Sequence, residues 1–254
     1  MNDELIISLE NVTKAFGSFV VATNLNMSVR RGEIVALLGQ TGAGKSTIMN
    51  MIMGTHAPTS GKVRVSGYDP YHEFSKLRGK LAVSFQTDRL LPWRTAVENA
   101  ELGLLILGKG RAEARQTALT WLSRVRLESA ENKYVHELSG GMRQRVSLAR
   151  ALCVDPDLVL LDESFSQLDH VTSKTLRADF AEVVRTYQKT CLFVTHRIED
   201  ALEMADRVIV LKAGAGIALE QDISAERRAD KDWLTTLHDR IAIEMGAASE
   251  QIEA

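Results

Sequence analysis

The chain has 254 residues, of which 45% are hydrophobic and 25% charged, and its formal net charge is -2 at pH 7. These values are ordinary for a globular protein with a sizeable core, and they argue against a general electrostatic affinity for nucleic acid or an acidic membrane surface. The longest apolar run, near residues 102–107, is far too short to span a bilayer, and the acidic start, Met-Asn-Asp-Glu, is not that of a secretory signal.

The N-terminal part of the sequence favours a small antiparallel sheet. Short apolar runs at residues 5–9, 20–22 and 25–29 are strand candidates, and Arg31-Gly32 is a turn signal. Phe16 lies between the first two runs, where an exposed ring could stack on an adenine base. A place in the core is the alternative for a single aromatic residue.

Residues 39–47 fit the pattern G-x-x-x-x-G-K-[ST] of a phosphate-binding loop. An apolar strand candidate at residues 34–38 precedes this loop, and a predicted helix at residues 46–53 follows it. The glycines let the backbone close around an anion, so that successive N–H groups point at phosphate oxygens. Lys45 would neutralise the β- and γ-phosphates, and the Ser46 hydroxyl would be a Mg²⁺ ligand. The predicted nucleotide contacts in the loop are Gly39, Gln40, Thr41, Gly42, Ala43, Gly44, Lys45, Ser46 and Thr47.

The middle of the chain is predicted to pass from strands to helices. Strand candidates occupy residues 62–65 and 81–85, and Gln86 directly follows the second, where open α/β sheets place ligands. An ordinary loop glutamine is the alternative there. After an unusually hydrophobic loop at residues 89–94, helical spacing covers residues 96–107 and 111–125. Because no strand pattern intervenes, we expect a helical subdomain inserted at about residues 87–153.

Two further segments carry candidate chemistry. Ser139, Gly140 and Gly141 precede a predicted helix that ends near Cys153, which suits a second anion site or a plain serine cap. The unbroken apolar run at residues 158–161 predicts a buried parallel strand that ends in Asp162 and Glu163. Two adjacent carboxylates at a strand end suit a metal ligand beside a general base, although one such acid alone could be a solvated loop residue.

The last third of the chain continues the same alternation. Asp169 precedes a predicted helix at residues 171–187 and could be no more than its N-cap. His196 ends a strand candidate at residues 191–195, where its ring could donate a hydrogen bond to a phosphate. Closing strands are predicted at residues 207–211 and 216–219. The helical stripe of the tail is predicted to pack on the body through Trp233, Leu237, Ile241 and Met245.

Cys153 and Cys191 have no spacing typical of a metal site or a disulfide framework. Both lie in apolar surroundings, so we expect small buried side chains and a reducing, cytosolic location.

In this order the motifs resemble the nucleotide-binding subunit of ATP-binding cassette (ABC) transporters, over about residues 5–219. The resemblance implies an α/β fold: a P-loop NTPase core with a mostly parallel sheet, an N-terminal antiparallel β subdomain and an inserted α-helical subdomain. It implies an ABC ATPase domain at residues 1–223 and a C-terminal helical tail at residues 224–254. The motifs that carry it are Phe16, the loop Gly39–Thr47, Gln86, Leu138-Ser139-Gly140-Gly141-Met142, Asp162 with Glu163, Asp169 and His196.

The resemblance also implies roles for these residues in hydrolysis of Mg-ATP. Ser46, Gln86 and Asp162 would hold Mg²⁺, Glu163 would orient or deprotonate the attacking water, and His196 would contact the γ-phosphate. Phe16 would stack on the adenine of the same ATP. The ATP of a second subunit would be met by Ser139, Gly140, Gly141 and Asp169, because members of this family close head-to-tail around two nucleotides.

The implied assembly is an energy-coupling ATPase that pairs with itself or with a similar subunit at the cytoplasmic face of the membrane. It would drive uptake through separate permease subunits, supplied indirectly by a solute-binding protein, without nucleic acid. A finer resemblance is to ATPases of the nitrate, sulfonate, taurine and bicarbonate importers. That resemblance is carried by Leu91-Pro92-Trp93-Arg94-Thr95, Glu98-Asn99 and Gly141-Met142-Arg143-Gln144-Arg145.

Three positions depart from the family pattern. Ser164 stands where proline usually follows the glutamate, Gln167 where a small residue is usual, and Met142 where glutamine is common. None removes a catalytic group, but the first two bear on the turnover rate.

Two other functions are compatible with a cassette of this kind. A soluble ABC ATPase of DNA repair, chromosome structure or translation is one, although the long insertions or paired cassettes of those classes are not present. A non-hydrolysing regulatory cassette is the other, and the presence of Lys45, Glu163 and His196 argues against it.

Overall fold

The computed structural model describes residues 4–165, 170–214 and 216–246 of the chain. These fall in two compact units, one formed by Met1–Leu77 with Thr190–Ala254 and the other by Arg78–Lys189. Two positions from the sequence analysis, Asp169 and Gln167, lie outside the described residues. The boundaries predicted for an ATPase domain and a separate tail stay a prediction.

The described residues form nine strands and nine α-helices. The strands are β1 (Leu5–Phe16), β2 (Phe19–Arg30), β3 (Ile34–Gly39), β4 (Ser60–Val65), β5 (Leu81–Ser84), β6 (Leu158–Asp162), β7 (Thr190–Val194), β8 (Arg207–Lys212) and β9 (Gly216–Asp222). The helices are α1 (Lys45–Ile52), α2 (Ala96–Ala100), α3 (Leu102–Ile106), α4 (Arg111–Arg124), α5 (Gly140–Cys153), α6 (His170–Thr186), α7 (Ile198–Met204), α8 (Ala225–Ala229) and α9 (Lys231–Glu244).

An antiparallel sheet in the order β2-β1-β4 forms the N-terminal part of the first unit, as predicted. Both β1 and β2 are longer than the sequence patterns indicated. The β1–β2 pairing continues past register shifts, and two asparagines near these shifts, Asn11 and Asn24, have φ of 51° and 49°. Such bulges break the alternation of apolar residues without ending the strands, which is why only fragments were visible in the sequence.

The remaining strands of the first unit form a mostly parallel arrangement around β3, every residue of which is buried. Strand β3 pairs in parallel with β7 on one side and with β8 on the other, while β9 runs antiparallel to β8. Burial on both faces explains the unbroken apolar run from Ile34 to Leu38. In the chain, the phosphate loop follows the carboxyl end of β3, and His196 follows the carboxyl end of β7.

In the second unit, β5 and β6 pair in parallel. Helices α2 to α5 lie between these strands in sequence, which confirms the inserted helical segment. The helix predicted at residues 96–107 is present as α2 and α3, joined at Glu101, whose backbone is still helical with φ −73° and ψ −13°. The two predicted helices at residues 111–125 and 140–153 are present as α4 and α5.

The tail packs on the first unit through α9, whose Leu237 and Ile241 are buried. The Asp230 carboxylate caps α9 by accepting hydrogen bonds from backbone N–H groups of Asp232 and Trp233 at 3.1 Å. These contacts confirm the predicted packing stripe, although Trp233 and Met245 keep part of their surface exposed. Within the described ranges, no helix combines the length and apolar character that crossing a membrane requires.

Both cysteines are free thiols and buried, as expected from their apolar neighbours. Burial raises the pKa of the Cys153 thiol to about 12 and also raises that of Cys191. Both side chains therefore stay neutral near pH 7 and act as small apolar residues.

Candidate functional site

The phosphate loop of the first unit curls around its own lysine. Lys45 is 8% exposed, and its ammonium donates hydrogen bonds to the carbonyls of Gly39 and Gln40 at 2.6 and 2.9 Å. The loop is further closed by the Ala43 N–H, which donates to the Gln40 carbonyl at 3.1 Å. The Lys45 ammonium thus lies inside the turn that, from the sequence pattern, is predicted to bind phosphate oxygens.

Two glycines of the loop stand where a side chain does not fit. Gly39 has φ 149°, and a Cβ on it would lie 2.7 Å from the Leu211 carbonyl of β8. Gly44, the N-cap of α1, has φ 93°, and a Cβ there would lie 2.9 Å from Val21 Cγ1. The close approach to Val21 also means that β2 runs directly beside the phosphate loop. Of the other loop residues, Gln40, Thr41, Gly42 and Ser46 are exposed to solvent, Thr47 is partly exposed and Ala43 is buried.

Phe16 lies at the tip of the β1–β2 hairpin with its side chain 45% exposed, so it is not a core residue. The Lys14 ammonium lies 4.6 Å from the ring centroid, and the His56 ring meets Phe16 edge-on at 5.7 Å. Lys14 is itself held by the Ala57 carbonyl at 2.8 Å. Since β2 continues from this tip to Val21 beside Gly44, the first unit presents an exposed aromatic ring on the strand pair that borders the phosphate loop.

His196 is exposed in the turn between β7 and α7, in the same unit as the phosphate loop. The turn is held by Thr195, whose hydroxyl donates to the buried Asp200 carboxylate at 3.2 Å and accepts from the Arg197 N–H at 3.1 Å. No role was predicted for Asp200. It lies four residues after His196 in the first turn of α7, so its carboxylate can reach back to the turn that carries His196.

In the second unit, the structure brings Gln86 and Glu163 together. The Gln86 amide donates to Glu163 Oε2 at 3.3 Å, across 77 positions of sequence. Glu163 directly follows β6 and has the left-handed backbone angle φ 46°. Such an angle is uncommon for a residue other than glycine and is typical of functional turns. Two of the three predicted catalytic side chains, Gln86 and Glu163, therefore meet at the carboxyl ends of β5 and β6.

Asp162 ends β6, and its side chain is partly exposed. The hydroxyl, amide and carboxylate oxygens of Ser46, Gln86 and Asp162 are hard donors of the kind that Mg²⁺ takes, usually with water and phosphate completing its shell. Across the described residues, no group of three or more His, Cys, Asp or Glu side chains could hold a metal ion. These donor types therefore fit a magnesium ion whose other ligands are water and nucleotide phosphates.

The segment Ser139–Gly141 forms the start of α5. The Ser139 hydroxyl caps the helix by accepting a hydrogen bond from the Met142 N–H at 3.3 Å. The plain serine cap that the sequence allowed is therefore present. Ser139 and Gly140 are also exposed, so the positive end of a 14-residue helix faces solvent. Capping and anion binding are compatible here, because backbone N–H groups of the first turn stay available to a ligand.

Helix α5 also anchors the loop that follows Gln86. Arg143 donates to the Asp88 carboxylate at 3.0 Å, while Arg150 donates to the carbonyls of Asp88 and Arg89 at 2.6 and 2.8 Å. Burial lowers the pKa of Arg150, and the Asp88 charge opposes that shift. Neither arginine has a motif that would predict this anchoring from the sequence, because their partners lie 55 to 62 positions away.

The candidate residues thus form two groups, one in each unit. The first unit holds Phe16, the phosphate loop and His196, whereas the second holds Gln86, Asp162, Glu163 and the start of α5. Asp169 lies outside the described residues.

Comparison with known proteins identifies the family. The family model described as "ABC transporter" matches residues 22–166. The chain is 37% identical over 214 residues to the Fe(3+) ions import ATP-binding protein FbpC of Escherichia coli O157:H7, a match that covers 84% of this chain and 61% of the relative. It is 39% identical to the taurine import ATP-binding protein TauB of Yersinia pestis bv. Antiqua, over 78% of this chain and 76% of the relative.

A solved structure shares the fold. The dimeric ATP-binding cassette MJ0796, in a post-hydrolysis state with ADP and Pi, superposes with a TM-score of 0.76 and 33% identity. The match covers 86% of this chain and 99% of that one. Because the family model matches more than half of the chain and these relatives are 37–39% identical to it, the chain belongs to the ABC transporter family.

Proposed function

We propose that this chain is the ATP-hydrolysing, energy-coupling subunit of an importer and that it acts at the cytoplasmic face of a membrane through separate permease subunits. The observation that carries this proposal is the phosphate loop, which holds the buried Lys45 ammonium between a fully buried strand and a helix. The names of the relatives FbpC and TauB support the same class, since both are import ATP-binding proteins.

The residues of the chain suit phosphoryl transfer to water. Loop N–H groups and Lys45 would bind the phosphates, so that charge building up on the transferred group is neutralised in place. Glu163, held by Gln86, would take the proton of the attacking water, and His196 would donate to the γ-phosphate. Mg²⁺, held by Ser46, Asp162 and Gln86, would supply further charge neutralisation when bound.

We further propose that two copies, or this chain and a similar subunit, close head-to-tail around two ATP molecules. The start of α5 suits an anion, because Ser139 and Gly140 are exposed there and the first turn of the helix presents backbone N–H groups. The dimeric state of the similar cassette MJ0796 supports this arrangement. In it, Ser139 and Gly141 would meet the γ-phosphate bound by Lys45 of the other copy, and Asp169 would lie at the same interface.

For the solute, we propose a small anion such as nitrate, a sulfonate or taurine. The support is the motif Leu91-Pro92-Trp93-Arg94-Thr95 together with the similarity to TauB. The similarity to an iron importer at nearly the same identity makes the solute the part of the proposal that depends most on a transport assay.

The proposed permease contact is a groove in the second unit beside Trp93, a residue with 69% of its surface exposed. The loop beneath Trp93 is rigid, since the buried Asn99 side chain accepts from the Leu91 N–H at 2.7 Å and donates to the Leu91 carbonyl at 3.2 Å. Leu90 is buried, so Trp93 is the large apolar side chain that the loop leaves in water. Trp93 is therefore not packed inside the helical segment.

The groove has an open volume of about 610 Å³, and the residues that line it include an ion pair. Arg115 binds the buried Glu101 carboxylate at 2.6 and 2.9 Å, which neutralises that charge. Trp93 and Arg94, residue types enriched at interface hot spots, line the edge. A short amphipathic helix of a permease fits a concave site of this kind. The groove is lined by Trp93, Arg94, Glu98, Glu101, Leu105, Arg111, Ala112 and Arg115.

Replacing both Trp93 and Arg94 with alanine is expected to abolish co-purification with the permease and uptake by the assembled transporter. The isolated subunit should keep ATP hydrolysis within about twofold of wild type, because neither side chain is buried in its fold. Detergent co-purification and uptake into proteoliposomes are the measurements.

Ile106→Ala is the matched control, since Ile106 is 63% exposed in α3 but does not line the groove. Equal loss of permease binding in the control, or a melting temperature of the double variant many degrees below wild type, would contradict the docking role.

The overall function is tested with the purified chain and Mg-ATP. Steady release of inorganic phosphate is expected, and removal of divalent cations with EDTA should abolish this release until Mg²⁺ is restored. Saturable ATP binding without any phosphate release, in the presence of Mg²⁺ and the permease, would refute an energy-coupling role.

A further inference from the structure

Beneath Glu163 lies a buried polar cluster, formed by the end of β5, the start of the turn after β6 and helix α5. Ser164 is 3% exposed, and its hydroxyl donates to the Ser84 carbonyl at 3.0 Å. The Ser84 hydroxyl is in turn 3.2 Å from the Ser147 hydroxyl and accepts from the Gln144 amide at 3.4 Å. A hydroxyl buried without a partner is costly, so these bonds define where each group can lie.

The bond from Ser164 to Ser84 closes the corner that holds the two candidate catalytic side chains. Strands β5 and β6 pair with Ser84 opposite Leu161, and the chain then turns at Glu163 with φ 46°. Ser164 is the next residue, and its hydroxyl bond joins this turn to β5 at Ser84, which lies two residues before Gln86. A left-handed φ on a non-glycine residue costs free energy and persists only where neighbouring contacts enforce it.

The other side of the turn is anchored by apolar packing. Phe165 is buried, its ring lies 6.1 Å from that of Phe180 on α6, and its carbonyl accepts from the Ser173 hydroxyl at 3.3 Å. Glu163 is thus followed by two consecutive residues with buried, specific contacts. The Ser164 hydrogen bond reaches β5, the strand that leads to Gln86.

We propose that Ser164 is a positioning residue for hydrolysis: its hydroxyl, bonded to the Ser84 carbonyl, sets the backbone of Glu163 so that the carboxylate meets Gln86. The inference rests on the proposed function for its kinetic consequence, whereas the positioning itself is a property of the nucleotide-free chain.

The competing explanation is that Ser164 only contributes to stability, as any satisfied buried hydroxyl does. Ser147 allows the two to be separated, because it is also buried, at 1% exposure, and its hydroxyl lies 3.2 Å from that of Ser84, yet it belongs to α5 and not to the Glu163 turn. Loss of either hydroxyl removes one buried hydrogen bond. Only loss of the Ser164 hydroxyl releases Glu163.

The experiment compares Ser164→Ala, Ser164→Cys and Ser147→Ala in the full chain. Both substitutions at Ser164 are expected to lower kcat for Mg-ATP roughly tenfold, with KM within about twofold, since one hydrogen bond to the positioning turn is lost or weakened. Ser147→Ala should keep kcat within about twofold. Ser164→Thr retains a hydroxyl and should recover most of the lost kcat.

A second measurement does not depend on hydrolysis. Amide hydrogen exchange of the peptide that contains residues 163–165 is expected to rise about tenfold in Ser164→Ala without nucleotide, and to stay unchanged in Ser147→Ala. A kcat of Ser164→Ala within twofold of wild type, an equal loss in Ser147→Ala, or unchanged exchange at this turn would overturn the inference. Absence of hydrolysis in the wild-type chain, together with the expected rise in exchange, would refute the proposed function and leave the positioning role supported.

Discussion

Replacing Glu163 with glutamine is expected to remove nearly all ATP hydrolysis while Mg-ATP binding stays within about threefold of wild type. The amide keeps the size of the side chain and can still bond to Gln86, 3.3 Å away, but it cannot take a proton from water. Loss of a positioned general base costs roughly 100- to 10,000-fold in rate. Phosphate release under saturating ATP and equilibrium binding of a fluorescent ATP analogue are the two measurements.

The same variant tests the proposed pairing of subunits. With hydrolysis blocked, ATP should accumulate between two copies, so light scattering after size exclusion should give twice the monomer mass with Mg-ATP and the monomer mass without it. Glu199→Gln is the matched control: Glu199 is an exposed acid in the first turn of α7 and has no assigned role in hydrolysis. Steady hydrolysis by Glu163→Gln near the wild-type rate would exclude the role of this carboxylate, and a monomer at high concentration with ATP would count against pairing.

Replacing Lys45 with alanine should act on binding itself. The Lys45 ammonium is nearly enclosed by the phosphate loop and is bonded to two of its carbonyls, at 2.6 and 2.9 Å. A phosphate in the loop would take over these bonds as charge-assisted contacts, each worth about 1.5–3 kcal/mol. We therefore expect the Kd for Mg-ATP to rise roughly 100-fold and hydrolysis at sub-saturating ATP to fall by at least as much.

Lys76→Ala is the control for a general charge effect, because Lys76 is an exposed lysine of the same unit. Its Kd should stay within about twofold of wild type. Calorimetric titration with Mg-ATP gives both values directly. Wild-type affinity in Lys45→Ala would mean that the nucleotide does not occupy this loop.

Local patterns in the sequence were enough to predict the phosphate loop. The strand at Ile34–Gly39, the glycine turn and the helix from Lys45 follow one another without a break, and each depends on neighbours within a few residues. The same holds for the buried strand that ends at Asp162 and for the Ser139 cap of α5. Short-range steric and hydrogen-bonding rules determine such elements. These elements can therefore be predicted before any tertiary contact is known.

Pattern reasoning was weaker where long strands contain polar residues. The first strand was visible only to Leu9, yet it runs to Phe16, because its pairing with two neighbouring strands outweighs the local preference for a turn near Asn11. The observed helix ends differ from the predicted ones by about one residue, because the terminal turns of a helix fray and have no sharp boundary.

Only the tertiary structure decided which side chains are exposed and which residues that are distant in sequence contact each other. The loop at residues 89–94 is unusually hydrophobic in sequence, but only the folded structure shows that Leu90 is buried whereas Trp93 is 69% exposed. The Gln86–Glu163 contact joins positions 77 apart, and the Ser164–Ser84 bond joins positions 80 apart. Local spacing and residue type established which chemical groups this protein carries; the parallel pairing of β5 with β6 established which of them meet, since only the fold sets the distance between residues far apart in sequence.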